Sequence, residues 1–188
     1  MKKTMLTLLV AGCMAASAGA MAAQQTVTLG YAQSHIQHEG PTLRGVNAQY
    51  RYEFNDAWGV MGSFTWMSGD ETTVYHYSDG YKGNDDIDAK YYSLLAGPTY
   101  RINNWVSLYG NIGFAVVDMD EDYKESNGVN SYRLSYSENS TAFAWGVGVI
   151  VNPMDNLSVS VGYEGTTAEV AGDHYGINGF NLGVGYSF

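Results

Sequence analysis

The stretch Gly179-Phe180-Asn181-Leu182-Gly183-Val184-Gly185-Tyr186-Ser187-Phe188 decides the fold. In an extended strand successive side chains point to opposite faces. Phe180, Leu182, Val184, Tyr186 and Phe188 therefore share one face, and Gly179, Asn181, Gly183, Gly185 and Ser187 share the other. One face is large and apolar, the opposite one small and polar. A soluble sandwich turns its apolar face to a second sheet. A small membrane barrel turns it to lipid and needs compact residues to fit inside.

The same contrast recurs upstream and predicts about eight strands of roughly ten residues each. They cover Thr26 to Ser34, Leu43 to Glu53, Trp58 to Met67, Lys90 to Ile102, Trp105 to Val117, Thr141 to Val151, Leu157 to Glu164 and the terminal run. Connections alternate in length. Those near Asn55, Asn103 and Pro153 are short, whereas Ser34–Thr42, Ser68–Ala89, Asp118–Ser140 and Gly165–Gly176 are long. Outward aromatics gather at both strand ends. Tyr52, Trp58, Tyr100, Trp105, Tyr186 and Phe188 lie beside short turns, and Tyr31, Trp66, Tyr92, Trp145 and Tyr163 beside long links. Two aromatic girdles with an apolar band between them, short turns on one side and long loops on the other, describe a transmembrane barrel. The expected fold is all-β, an eight-stranded antiparallel up-and-down barrel with long acidic extracellular loops.

Residues 1–22 read as a signal peptide, with Lys2 and Lys3 ahead of an apolar run and Ala20-Met21-Ala22 before a cleavage site between Ala22 and Ala23. Residues 23–188 are then the barrel domain. Cys13, the only cysteine, sits in a lipoprotein-like Val10-Ala11-Gly12-Cys13 context but is expected to leave with the signal. The remainder has seven basic and 19 acidic residues, a net charge of −12, which argues against nucleic acid. No 18-residue apolar run follows the signal, so no spanning helix is expected.

These residues resemble the OmpX/Ail/Lom family of small Gram-negative outer-membrane barrels. The resemblance rests on Val27-Thr28-Leu29-Gly30-Tyr31-Ala32-Gln33-Ser34, Gly59-Val60-Met61-Gly62-Ser63-Phe64-Thr65, Ala96-Gly97-Pro98-Thr99-Tyr100-Arg101-Ile102-Asn103, Asn152-Pro153-Met154 and Gly183-Val184-Gly185-Tyr186. It implies residence in the outer membrane and an assembly signal at Tyr186 and Phe188, read by the barrel-assembly machinery. Ser187 stands where the family commonly has Arg. It also implies adhesion, invasion or serum resistance through the outer loops.

Inside the barrel, Arg51, Glu53, Arg101 and Glu164 fall on the small-residue face. Buried charges need partners, so Arg51 and Arg101 are expected to pair with Glu53 and the Tyr109 hydroxyl, forming a plug of ion pairs and water. Glu164 has no partner legible in the sequence.

Outside, the carboxylates of Asp118, Asp120 and Asp122 alternate but lack the Gly and terminal Glu of a calcium loop. They read as a solvated acidic face that could bridge divalent cations to lipopolysaccharide. Asn127-Gly128 marks a hairpin turn. With Tyr132, Leu134, Tyr136, Val74, Tyr75 and Tyr77, it predicts strands continuing above the membrane, whose exposed edge could bind a partner chain.

His35, His38, His76 and His174 are placed in loops, with no catalytic pattern among them, and neither enzyme activity nor a cofactor or metal is expected. The leading reading is a monomeric, non-enzymatic surface-interaction barrel contacting lipid, lipopolysaccharide and host surface or serum proteins. The alternatives are a structural barrel supporting envelope integrity and a soluble lipocalin-like carrier.

Overall fold

The computed structural model describes residues 24–37, 41–76, 82–126, 131–170 and 173–188; at 73–76, 82–85, 121–126, 131–138, 168–170 and 173–175 it describes the backbone alone. Eight strands follow in chain order: β1 (Gln25–Ile36), β2 (Thr42–Glu53), β3 (Trp58–His76), β4 (Lys82–Arg101), β5 (Val106–Ser126), β6 (Ser131–Met154), β7 (Leu157–Val170) and β8 (Asp173–Ser187). Each pairs with its sequence neighbours, and β1 pairs antiparallel with β8 to close the barrel. The last residue completes the seam, because Phe188 and Gln25 exchange both backbone hydrogen bonds at 2.9 and 3.0 Å. Closure matters in lipid, where no water satisfies an open strand edge. Among the described residues no helix is long and apolar enough to cross a membrane.

The alternation settles which face is which. Leu29, Leu94, Ile112, Phe114, Val147, Leu182 and Val184 are exposed on the outer wall, while Ala32, Ser63, Thr65, Leu95, Ala115, Ala144 and Asn181 are buried in the lumen. Trp58 packs on Tyr100 with ring centroids 4.8 Å apart, and Tyr186 stacks on Phe188 at 6.4 Å, all beside the short turns. Trp145 and Tyr163 meet at 6.1 Å at the opposite end. Two of the short turns are fixed by asparagines. Asn55 Oδ1 accepts from Ala57 N (3.0 Å) and Trp58 N (2.7 Å), and Asn103 Oδ1 accepts from Trp105 N (2.8 Å) and Val106 N (2.9 Å). This side-chain mimicry of a backbone turn is why asparagine favours such positions.

The strands continue into the long acidic connections, as Asn127-Gly128 and the tyrosines beside it predicted, beyond the bounds read from lipid-facing alternation. Pairing between β3 and β4 runs on to His76↔Lys82, and pairing between β5 and β6 runs on to Ser126↔Ser131. Most of Ser68–Ala89 and Asp118–Ser140 is strand. Beyond the membrane no hydrocarbon selects for an apolar face, so alternation weakens while backbone pairing persists. β7 and β8 likewise extend to Val170 and from Asp173. His35, His76 and His174 accordingly lie in β1, β3 and β8, and His38 lies outside the described residues.

Candidate functional site: lumen, periplasmic mouth and outer extension

The lumen has three zones. Beside the short turns, Arg51 and Arg101 converge on one carboxylate. Arg101 donates to both oxygens of Glu53, Nε to Oε1 at 3.0 Å and Nη2 to Oε2 at 2.6 Å. Arg51 Nη2 lies 3.2 Å from the same Oε2. Arg51 also donates to the hydroxyls of Ser107 (3.3 Å) and Thr26 (3.4 Å). Fork-shaped guanidinium–carboxylate contact is the strong form of this bond. Gln24 spans the mouth above the cluster: its Oε1 accepts from Arg101 Nη2 at 2.7 Å, and its Nε2 donates to the Asp155 carbonyl at 3.2 Å. A recess of about 260 Å³, lined by Gln24, Glu53, Asn55, Asp56, Arg101 and Asn104, opens outward there.

Tyr109 does not join the arginines, contrary to the expectation from sequence. Its hydroxyl points to Ser160, Gln49 and Asn181 in the middle zone. The reason is space. Gly148 on β6 and Gly162 on β7 form a slot that the ring occupies, and a Cβ on either glycine would collide with it. In the same zone Gln49 Nε2 donates to Asn47 Oδ1 at 2.8 Å, and Asn47 Nδ2 donates to Ser63 and Thr65, both at 2.9 Å.

Glu164 closes this zone. Tyr91 donates to its Oε1 at 2.6 Å and Thr65 to its Oε2 at 3.0 Å. No cation pairs with it among the described residues. Neither partner was found from the sequence, although the doublet Tyr91-Tyr92 carried the signal, since one of two adjacent strand residues must face inward.

Toward the extracellular end the lumen is apolar. Ile36, Leu43, Met67, Tyr91, Leu95, Val117 and Ile177 form a single buried cluster. The ion pairs of the expected plug occupy only the periplasmic part; hydrocarbon side chains fill the other end.

The outer sites sort differently. Asp118 and Asp120 lie on β5, and Asp120 reaches Lys90 Nζ at 4.0 Å with both half-exposed. The backbone of Asp122 pairs with Asp86 and Ser135. Among the described residues no group of three or more His, Cys, Asp or Glu side chains is arranged to hold a metal ion. Tyr75 is in β3, Tyr132 and Tyr136 are in β6, and Tyr77 lies outside the described residues. Tyr186 and Phe188 are exposed at 59% and 62% on the outer wall beside the barrel seam. Ala22 and Ala23 lie outside the described residues.

A closed barrel with an apolar outside, two aromatic girdles and a filled lumen defines an integral outer-membrane β-barrel. Residues 4–188 match the family model described as the outer membrane protein beta-barrel domain. The chain is 36% identical to the attachment invasion locus protein of Yersinia enterocolitica over 100% of both chains. It is 34% identical to outer membrane protein X of Escherichia coli K12, again over 100% of both. The crystal structure of Ail from Yersinia pestis, in complex with the heparin analogue sucrose octasulfate, aligns with a TM-score of 0.67 at 35% identity. That alignment covers 89% of this chain and 100% of Ail. The chain belongs to the Ail/OmpX family of outer-membrane barrels, whose members are surface proteins rather than enzymes.

Proposed function

We propose that this barrel is an adhesion, invasion or serum-resistance type protein that engages host surface or serum proteins through the sheet protruding from β3–β6. The observation that carries this reading is a pair of free edges. β3 leaves β2 after Ser68, and β6 joins β7 only from Ala144, with the Phe143 carbonyl accepting from Thr166 Oγ1 at 2.8 Å, so residues 69–76 and 131–142 have no ladder partner on one side. At about 3.3 Å per residue those edges extend about 26 and about 40 Å. An unpaired edge offers main-chain donors and acceptors to an incoming strand. The β6 edge, Ser131 to Ala142, is the longer and carries Glu138 and Arg133 as its only charged residues, whereas Gly69 to His76 includes Asp70 and Glu71. We assign strand addition to β6.

The Yersinia pestis relative binds a sulfated sugar analogue. Here exposed Asp70, Asp88 and Asp120 sit in cross-strand register on three neighbouring strands, and such a face repels polyanions. A protein partner is favoured over a heparin-like one.

Replacing 69–88 and 119–141 by short Asn-Gly turns should abolish attachment to cultured cells and survival in serum. The barrel itself should still assemble. Unchanged attachment and survival would leave a structural role in the envelope, with no protein partner. The reading further takes Met1–Ala22 as a cleaved signal and the barrel as a monomer. Amino-terminal sequencing of the protein from outer membranes should begin at Ala23.

A further inference from the structure

The sheet that protrudes beyond the barrel has two chemically different faces. Backbone register assigns alternate residues of β3–β6 to each of them. One face continues the lumen wall. Met67, Ala89 and Val117 are buried on it, and Met119 and Ala142 pack against the apolar cluster at the extracellular end. Farther out the same face carries Tyr75 on β3, Tyr123 on β5, and Tyr132 and Tyr136 on β6, with Leu134 between the last two. Carboxylates are interleaved with these rings. Glu71, Asp85, Glu121, Glu125 and Glu138 fall on this face, and among the described residues of the extension no Lys or Arg does. In cross-strand register Glu121 stands opposite Tyr136, and Glu125 opposite Tyr132.

The other face continues the outer wall. Among the described residues of the extension it carries Lys82, Lys124 and Arg133 and no tyrosine. The contrast reaches the free edge. There β6 offers Tyr132, Leu134, Tyr136 and Glu138 on the lumen-side face, and Arg133, Ser135, Ser137 and Asn139 on the outer one. The Phe143 carbonyl faces β7 and accepts there from Thr166. In an antiparallel pair the N–H and C=O of one residue face the same side, and the side alternates along the strand. Arg133, Ser135 and Ser137 therefore present their backbone groups to the open edge.

We propose that the strand taken up by β6 carries Lys or Arg at every second residue, on the side of Tyr132, Leu134 and Tyr136, with hydroxyl or amide residues between. This rests on strand addition at β6 and names what the edge selects. Main-chain bonds give such an edge its affinity, and alternate side chains give it specificity. A cationic side chain over a tyrosine is attracted by the face of the ring, and its alkyl stem covers apolar surface. Opposite charges on neighbouring strands add to this. An acidic segment would meet Glu121, Glu125 and Glu138 with no counter-charge. An apolar one would strip water from those carboxylates. On the outer face Arg133, in register with Lys124, repels further cations. Basic residues are thereby held to one face. A slip of one residue exchanges the faces, so the alternation also fixes the register. The partner is a host surface or serum protein that exposes a basic, alternating extended segment.

The test is fluorescence anisotropy of labelled peptides with the full barrel in phosphatidylcholine nanodiscs. The peptides are about ten residues long, the length of a strand. One alternates Lys and Thr, one has the same composition in two blocks, and one alternates Glu and Thr. The alternating Lys peptide should bind about tenfold tighter than the block peptide, the scale of a few cross-strand pairs. The Glu peptide should not bind. Glu121→Gln combined with Glu138→Gln should weaken the alternating Lys peptide about fivefold. Tyr136→Ser should weaken it too, whereas Tyr136→Phe should retain it. Ser135→Pro combined with Ser137→Pro removes edge donors at positions where an edge strand tolerates proline, and should abolish binding. All variants should keep the parent's heat-modifiable gel mobility. Equal binding of the alternating and block peptides, or parent-like binding by the Gln variant, overturns the pattern and leaves strand addition standing. Parent-like binding by the Pro variant overturns strand addition itself.

Discussion

At the residue scale, Glu53 is the hub of the periplasmic mouth because it serves two guanidiniums. Arg51 is 2% exposed and Arg101 19%, so the two are not equivalent. Removing the shared carboxylate leaves Arg51 buried without its counter-charge, and a lost partner of a buried pair costs about 3–5 kcal/mol. Glu53→Ala should lower stability by that amount in urea unfolding from lipid vesicles. Arg101→Ala should cost clearly less, because Glu53 keeps Arg51 and the vacated side is open to water. Equal losses would mean that the mouth is as dry at Arg101 as at Arg51. At the other end of the polar zone, Tyr91 donates to the carboxylate of Glu164. Hydrogen bonds to charged groups are worth about 1.5–3 kcal/mol, so Tyr91→Phe should lose about that much in the same assay. A change below about 0.5 kcal/mol would mean that Thr65 alone satisfies Glu164.

At the element scale, glycines on β6 and β7 clear the inner wall where the ring of Tyr109, carried by β5, must lie. Gly162→Ala places a methyl group against the Tyr109 hydroxyl and the Asn181 amide. Overpacking of this kind costs about 1–3 kcal/mol. Tyr109→Phe in the same chain should recover part of the loss, because the colliding atom is the hydroxyl; no recovery would place the strain in the backbone instead. Each strand also has a fixed relation to lipid. Leu108, Val147 and Leu182 are exposed on β5, β6 and β8 at 43%, 49% and 50%. A lysine at any of them faces hydrocarbon and costs about 2–4 kcal/mol near the midplane. All three variants should insert poorly into bilayers, and parent-like insertion by all three would contradict the lipid-facing assignment.

At the scale of the whole molecule, an eight-stranded barrel has an interior just wide enough to be filled by side chains. This one is filled in two chemical styles. Ion pairs occupy the periplasmic end, and an apolar cluster built around Leu43, Met67 and Ile177 occupies the other. The apolar part is the barrier to ions, since it offers nothing to replace their hydration shells. Planar bilayers containing the purified protein should show no steady porin-sized current. A stable large conductance would require a lumen other than the one described. The closed hydrogen-bond ring also predicts that unheated protein runs faster than boiled protein on a denaturing gel.

The strand count, the lipid-facing side and the inward placement of Arg51, Glu53, Arg101 and Glu164 were legible in the sequence. A period of two fixes a residue's face without knowledge of any neighbour, and hydrocarbon on one side leaves that period uninterrupted. What faces what across the lumen was decided by register and closure. Glu164 on β7 meets Tyr91 on β4 and Thr65 on β3, and Tyr109 turns to the glycine slot rather than to the arginines. The extension of β3–β6 was announced by Asn127-Gly128 and the tyrosines beside it, but its bounds were not legible, because beyond the membrane nothing imposes the alternation that lipid does. Periodicity is a local property of the chain, whereas cross-strand and cross-lumen contacts exist only once the sheet has closed.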